Sequence, residues 1–154
     1  MTEHHPNAAL LRRLFTSLQG RDDQAMADCY AEQATFHDIA FDLKNRREIH
    51  AMWRMICATT PVTVTIEGVE ADDRTGRARI IDEYTFSDTG NPVVNPIESR
   101  FRFADGRIVE HRDECDERSW ARQAIGGPVG WLAGRVRLLR AWKASRKLRP
   151  YLAS

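Results

Sequence analysis

At 154 residues, with 42% hydrophobic and 29% charged side chains, the chain is long enough for one domain with its own core and short for two. No apolar run approaches the roughly 20 residues that span a bilayer, and Met1-Thr2-Glu3-His4-His5-Pro6 has neither a basic region nor an apolar signal core, which predicts a cytoplasmic protein. The net charge of +1 hides an asymmetry: residues 127–154 hold seven Lys or Arg and no acid, leaving 16 basic against 22 acidic residues in 1–126.

Asn7 is the expected N-cap of a first helix, with Leu10, Leu11, Leu14, Phe15 and Leu18 on one face and Gly20 as its stop. Asp22 caps a second helix expected to run through Tyr30, burying Met26, Cys29 and Tyr30, before a short strand Ala34-Thr35-Phe36-His37-Asp38. Asn45 and Glu48 form a capping pair, after which Ile49, Met52, Trp53 and Ile56 recur at helical spacing until Pro61. From Val62 the period changes to two, predicting strands over 62–70, 77–86, 93–103 and 108–115. Turn chemistry separates them at Asp73-Arg74-Thr75-Gly76, Asp88-Thr89-Gly90-Asn91 and Asp105-Gly106. A short helix over Glu117–Ala124 follows, and Gly126-Gly127-Pro128 breaks it. Helices first and a meander afterwards predict an α+β fold in which N-terminal helices pack on a curved, mostly antiparallel sheet, a cone-shaped roll of the cystatin-like kind over 1–126, with a basic amphipathic tail helix over 127–154.

Alternation assigns each strand two faces. Asp82 falls on a face with Ala78, Ile80, Tyr84 and Phe86, and the inner face of the next strand is Val93, Asn95, Ile97, Ser99, Phe101 and Phe103, with Glu98, Arg100 and Arg102 outside. A two-residue turn at Asp105-Gly106 pairs Phe103 with Ile108 and turns Glu110, Arg112 and Glu114 inward. A three-residue turn with Gly106 as a left-handed bulge pairs Phe103 with Arg107 and turns Val109, His111, Asp113 and Cys115 inward. The second register is expected, because it buries one carboxylate beside a histidine rather than three charges. Asp38, Asp82, His111 and Asp113 are therefore the candidate catalytic residues, around an apolar pocket bounded by Phe36, Trp53, Tyr84, Phe101 and Phe103 that suits a small hydrophobic ligand.

Two segments carry a resemblance. Leu18-Gln19-Gly20-Arg21-Asp22 with Cys29-Tyr30-Ala31-Glu32-Gln33-Ala34-Thr35-Phe36-His37-Asp38, and Phe101-Arg102-Phe103-Ala104-Asp105-Gly106-Arg107-Ile108-Val109-Glu110-His111-Arg112-Asp113, resemble the opening helices, first strand and closing hairpin of the SnoaL-like and nuclear transport factor 2-like superfamily. The resemblance covers residues 8 to about 124. Likeness to its ketosteroid isomerases implies Asp38 as a base, while that family's helix-one tyrosine falls at Leu14 and its later acid matches Glu98 only with a residue inserted. Likeness to its limonene epoxide hydrolases implies a role for Arg112-Asp113 with Asp82 as a second carboxylate, although alternation points Arg79 away from the place of the bridging arginine. SnoaL-type polyketide cyclases use polar residues on these strands, which His111 and Asp113 supply. Homodimerisation is common in these families, and the face bearing Glu98, Arg100 and Arg102 is the expected interface.

Each candidate has a structural alternative. Asp38 caps a turn or acts as a base, Asp82 pairs with an inward side chain or acts on substrate, and His111 with Asp113 is a core hydrogen-bonded pair or an acid–base pair. Likewise Trp53 and Tyr84 are core residues or ligand contacts, and the tail closes the cone, docks on a partner, or makes a weak membrane-surface contact through its basic face. Neither Cys29, Cys57 and Cys115 nor His4, His5, His37 and His50 show metal-ligand spacing, so no metal or cofactor is expected, and no motif accompanies the basic tail to suggest nucleic acid.

Overall fold

Pro6 rather than Asn7 opens the first helix. In the computed structural model, which describes residues 1–127 and 133–153 and leaves out the side chains of 133–142, α1 spans Pro6–Gln19 with His5 as its N-cap, the ring accepting from Asn7 N at 3.0 Å. Asn7 is buried one step further in, where its amide donates to Asp72 O and ties α1 to the turn at 72–74. Ala8, Leu11, Leu14, Phe15 and Leu18 form the buried stripe of α1, and Gly20 ends it.

Asp22 caps α2, Asp23–Ala27, as expected, but the helix stops after five residues. Tyr30 is not its last residue; it begins β1, Tyr30–His37, alongside Ile108. A two-residue β2, Asp42–Leu43, folds back on the end of β1. Asn45 caps α3, Arg46–Thr59, through Glu48 N, and the Glu48 carboxylate returns to Lys44 N, closing both ends of the first turn.

The four long strands follow: β3 Thr63–Ala71, β4 Thr75–Thr85, β5 Pro92–Ala104 and β6 Arg107–Cys115. They form a six-stranded open sheet in the order β2-β1-β6-β5-β4-β3, antiparallel throughout except for the parallel β1–β6 pair. This is the α+β cone expected from the sequence. The core lies between the inner sheet face and the stripes of α1 and α3, with Ile49, Met52 and Trp53 as the α3 contribution. Gly76 on β4 permits a close approach there, because a Cβ at that position would stand 2.8 Å from the Phe103 ring and 3.2 Å from Ala71 Cβ.

Two C-terminal helices complete the molecule. α4, Glu117–Ala124, packs on β5 and buries Trp120 with Val93, Tyr84 and Phe86. α5, Ala133–Leu152, lies against α3 of the same chain, where Leu148 is buried in the main core and Lys147 reaches Asp88 at 2.6 Å. Trp131 and Leu132, and the side chains of Val136, Leu139 and Trp142 that carry the amphipathic pattern of the tail, lie outside the described residues. Among the described residues no helix is long and apolar enough to cross a membrane.

Candidate active site

The hairpin between β5 and β6 decides which side chains of β6 face inward. Asp105 and Gly106 both have positive φ, 52° and 74°, and form a two-residue turn that pairs Ala104 with Arg107 and Phe103 with Ile108. The three-residue turn expected from the sequence is therefore not the one adopted. The extra residue sits further along: the next pair is Arg102 with Glu110, so Val109 is bulged out and the parity of β6 flips behind it. Phe101 then opposes His111, Ser99 opposes Asp113, and Ile97 opposes Cys115. This arrangement buries Ile108 and still brings His111 and Asp113 inward, while Arg112 stays exposed. Unbulged, the same turn would carry Glu110 and Arg112 into the core at a cost of several kcal/mol each, on the order of the penalty for an unpaired buried ion.

His111 and Asp113 meet because residues two apart on a strand share a face. Nε2 of His111 lies 2.7 Å from Oδ1 of Asp113, and Ser99 Oγ donates to the same oxygen at 2.5 Å. On the other side of the ring, Nδ1 lies 2.8 Å from the Tyr30 hydroxyl, which accepts from Trp53 Nε1 at 3.2 Å. The imidazole is 0% exposed, clamped by Phe101 and Phe36 at ring-centroid distances of 4.4 and 4.8 Å. Both nitrogens are thus occupied inside the core, and of the pair only Asp113, whose side chain is 14% exposed, reaches an opening.

That opening is a cleft of about 210 Å³ lined by His37, Asp38, Ile39, Arg112, Asp113 and the start of α4 at Glu117. Asp38 ends the β1 edge of this cleft, and its Oδ1 accepts from Ala40 N and Phe41 N, both at 2.7 Å. Burial pushes the Asp38 carboxyl up to about 6; the two backbone donors oppose this, and the Asp113 charge adds to it. Asp38 is accordingly a turn cap and a cleft carboxyl at once.

Asp82 stands on the inner face of β4 between Val64 and Asn95. Its Oδ1 is sealed from solvent without a hydrogen-bond partner among the described residues, and burial followed by the Asp113 charge pushes the carboxyl up to about 7. It does not line the Asp38–Asp113 cleft, and it is absent from the lining of a second hollow of about 390 Å³ around Ile80, Pro96 and Ile97. Arg79 lies over Gly68, where a Cβ would stand 3.2 Å from its Nη2, and so does not bridge Asp82 to Asp113.

The apolar rings have a different task from the one expected. Phe36, Trp53, Phe101 and Phe103 are between 1% and 6% exposed and pack on one another and on His111, so they wall the buried network instead of lining either opening. Tyr84 belongs to the α4 cluster, with its hydroxyl accepting from Trp120 Nε1 at 2.7 Å. Two members of the network were not among the sequence candidates. Ser99 carried the same signal as Asp82, a polar residue on an apolar strand face, whereas Tyr30 was hidden by a helical spacing from Met26 that the chain does not follow.

A family model described as a SnoaL-like domain matches residues 11–111. Solved structures with the same fold include an LEH-like epoxide hydrolase of M. tuberculosis, 17% identical, with a TM-score of 0.69 over 84% of this chain and 96% of that one. A protein of ketosteroid isomerase-like fold from Catenulispora acidiphila, in complex with trimethylamine, is 18% identical with a TM-score of 0.69, covering 85% and 98% of the two chains. IdmH of Streptomyces antibioticus, a candidate polyketide cyclase, is 20% identical with a TM-score of 0.65 over 77% and 98%. No curated protein matches the chain.

Proposed function

Because the chain belongs to the SnoaL-like family, we propose that it is an acid–base enzyme that binds a small, largely hydrophobic molecule with its reacting end at the Asp38–Asp113 cleft. The observation that carries this reading is the position of Asp113 at the end of a buried polar chain. Ser99 and His111 hold Oδ1 from the inside, and Oδ2 has no hydrogen bond among the described residues and is left to accept from a ligand.

The chemistry follows from the contrast between the two cleft carboxyls. Asp113 is held on its inner oxygen by Ser99 and His111 and turns the other to the cleft, whereas Asp38 is pushed up to about 6 by burial and carries a proton in part of the population near neutrality. Asp113 takes a proton from an acidic carbon or from an attacking water. Protonated Asp38 delivers one to the oxygen that gains charge, a carbonyl becoming an enol or an epoxide oxygen becoming a hydroxyl. Isomerisation, cyclisation and epoxide hydrolysis all use this exchange, and the last two are the activities by which two of the similar structures are described. His111 does not touch substrate in this scheme. It orients Asp113.

The test is turnover of a panel of small enolisable ketones and terminal epoxides by the full chain, followed by NMR of the products. Conversion of one class above the uncatalysed rate supports the reading and names the reaction. Binding of these compounds without conversion across the panel would favour a noncatalytic carrier.

A further inference from the structure

The direction of each hydrogen bond behind Asp113 can be worked out from the donors that have no choice. An indole N–H only donates, so Trp53 Nε1 fixes the Tyr30 oxygen as an acceptor at 3.2 Å. Burial pushes the Tyr30 hydroxyl well above its ordinary range, so it keeps its proton, and that proton has to be given to the other group it meets, Nδ1 of His111 at 2.8 Å. A neutral imidazole that accepts at Nδ1 carries its proton on Nε2, which is the atom 2.7 Å from Asp113 Oδ1. The opposite tautomer fails at both ends. With the proton on Nδ1, the Tyr30 hydroxyl would face donors on both sides, and a bare Nε2 would face a carboxylate oxygen that already accepts from Ser99.

We infer that Tyr30 and Trp53 are positioning residues that lock His111 in the Nε2–H tautomer, so that Asp113 always meets a donor on its inner oxygen and presents a bare acceptor outward. The catalytic meaning of this lock rests on the proposed role of Asp113 as the base, but the tautomer itself does not. One consequence is chemical: Nε2 has no vacant lone pair, so a proton taken up by Asp113 stays on the carboxyl at the cleft and returns to substrate or water from there instead of passing inward. Phe36 and Phe101 complete the lock by preventing the ring from flipping, since they contact its faces and edge at 4.8 and 4.4 Å between centroids.

The experiment is a long-range proton–nitrogen correlation spectrum of the ¹⁵N-labelled full-length protein at neutral pH, with the His111 signals assigned through His111→Asn. The wild type is expected to show a protonated-type Nε2 and an unprotonated-type Nδ1. In Tyr30→Phe, with an otherwise native amide spectrum, the two nitrogens should move toward a tautomer-averaged position, and Trp53→Phe should produce a smaller shift in the same sense. A wild-type ring protonated at Nδ1, or an unchanged His111 spectrum in folded Tyr30→Phe, overturns the inference. Should Tyr30→Phe fail to fold, the wild-type tautomer and Trp53→Phe decide the question alone. Failure of the enzyme reading is seen separately, as turnover that survives Asp113→Asn, and leaves these spectra untouched.

Discussion

His111 and Asp113 stand two residues apart on one strand and share a 2.7 Å hydrogen bond, yet one side chain is wholly dry and the other opens to a cleft. The bulge at Val109 creates this relationship, because it turns both residues inward where the tight Asp105–Gly106 turn alone would turn them out. Protein dipoles therefore hold the inner half of the carboxylate, and the outer half is left to the ligand. Under the proposed function, substrate contact falls to Asp113 and Asp38, and orientation falls to His111, Ser99, Tyr30 and Trp53.

Asp82 makes stability depend on pH in a direction unusual for a carboxylate. Its folded value is raised to about 7 from an ordinary 3.8, so between these limits the folded state holds a proton that the unfolded chain has lost. Stability is full below about pH 4 on this account and falls as pH rises through 7, with Asp38 adding the same slope up to about 6. Asp82→Asn should remove most of that slope and raise unfolding stability at pH 8 by about 1–3 kcal/mol. Urea unfolding of both proteins at pH 5 and pH 8 measures it; equal slopes would disprove the assignment.

Gly76 is expected to tolerate no side chain without a shift of the sheet. Its missing Cβ leaves room for the Phe103 ring, and Ala71 closes the remaining side. Gly76→Ala should lower stability by about 1–3 kcal/mol through overpacking, although alanine suits a strand better than glycine does. Thermal unfolding checks this, and a neutral or stabilising change would mean that Phe103 moves freely.

The tail helix should contribute to folding more through the packing of Leu148 than through the Lys147–Asp88 pair. Leu148 is 3% exposed in the core beside α3, so Leu148→Ala should cost about 2–5 kcal/mol. Lys147→Ala breaks only the partly exposed pair with Asp88 and should cost less than about 1 kcal/mol. Chemical unfolding of the two variants separates docking by packing from docking by charge.

Much of this fold was legible because its signals were local. The Asn45–Glu48 cap, the α1 stripe and the alternation of β4 and β5 each follow from a few neighbouring residues, and the inner faces carry Ala78, Ile80, Ser99 and Phe101 as the period of two requires. Tyr30 was misplaced because Met26, Cys29 and Tyr30 fit a helical face, and only the tertiary pairing of β1 with Ile108 starts a strand there. The position of the β6 bulge was illegible for a related reason: either placement turns His111 and Asp113 inward, and the choice depends on packing around Ile108. Alternation on the strands and helical spacing on α3 likewise tell which way a ring points but not whether the space before it is filled, and Phe36, Trp53, Phe101 and Phe103 point inward but pack on one another and around His111.

The most direct test of the account is the rate at which Asp113→Asn turns over whichever ketone or epoxide the wild type converts, measured alongside its amide spectrum. Asparagine keeps an oxygen for Ser99 and His111 but cannot take a proton, so the rate should fall by about 10²–10⁴ with the fold unchanged. A folded Asp113→Asn protein that retains wild-type turnover would contradict the claim that this carboxylate is the base.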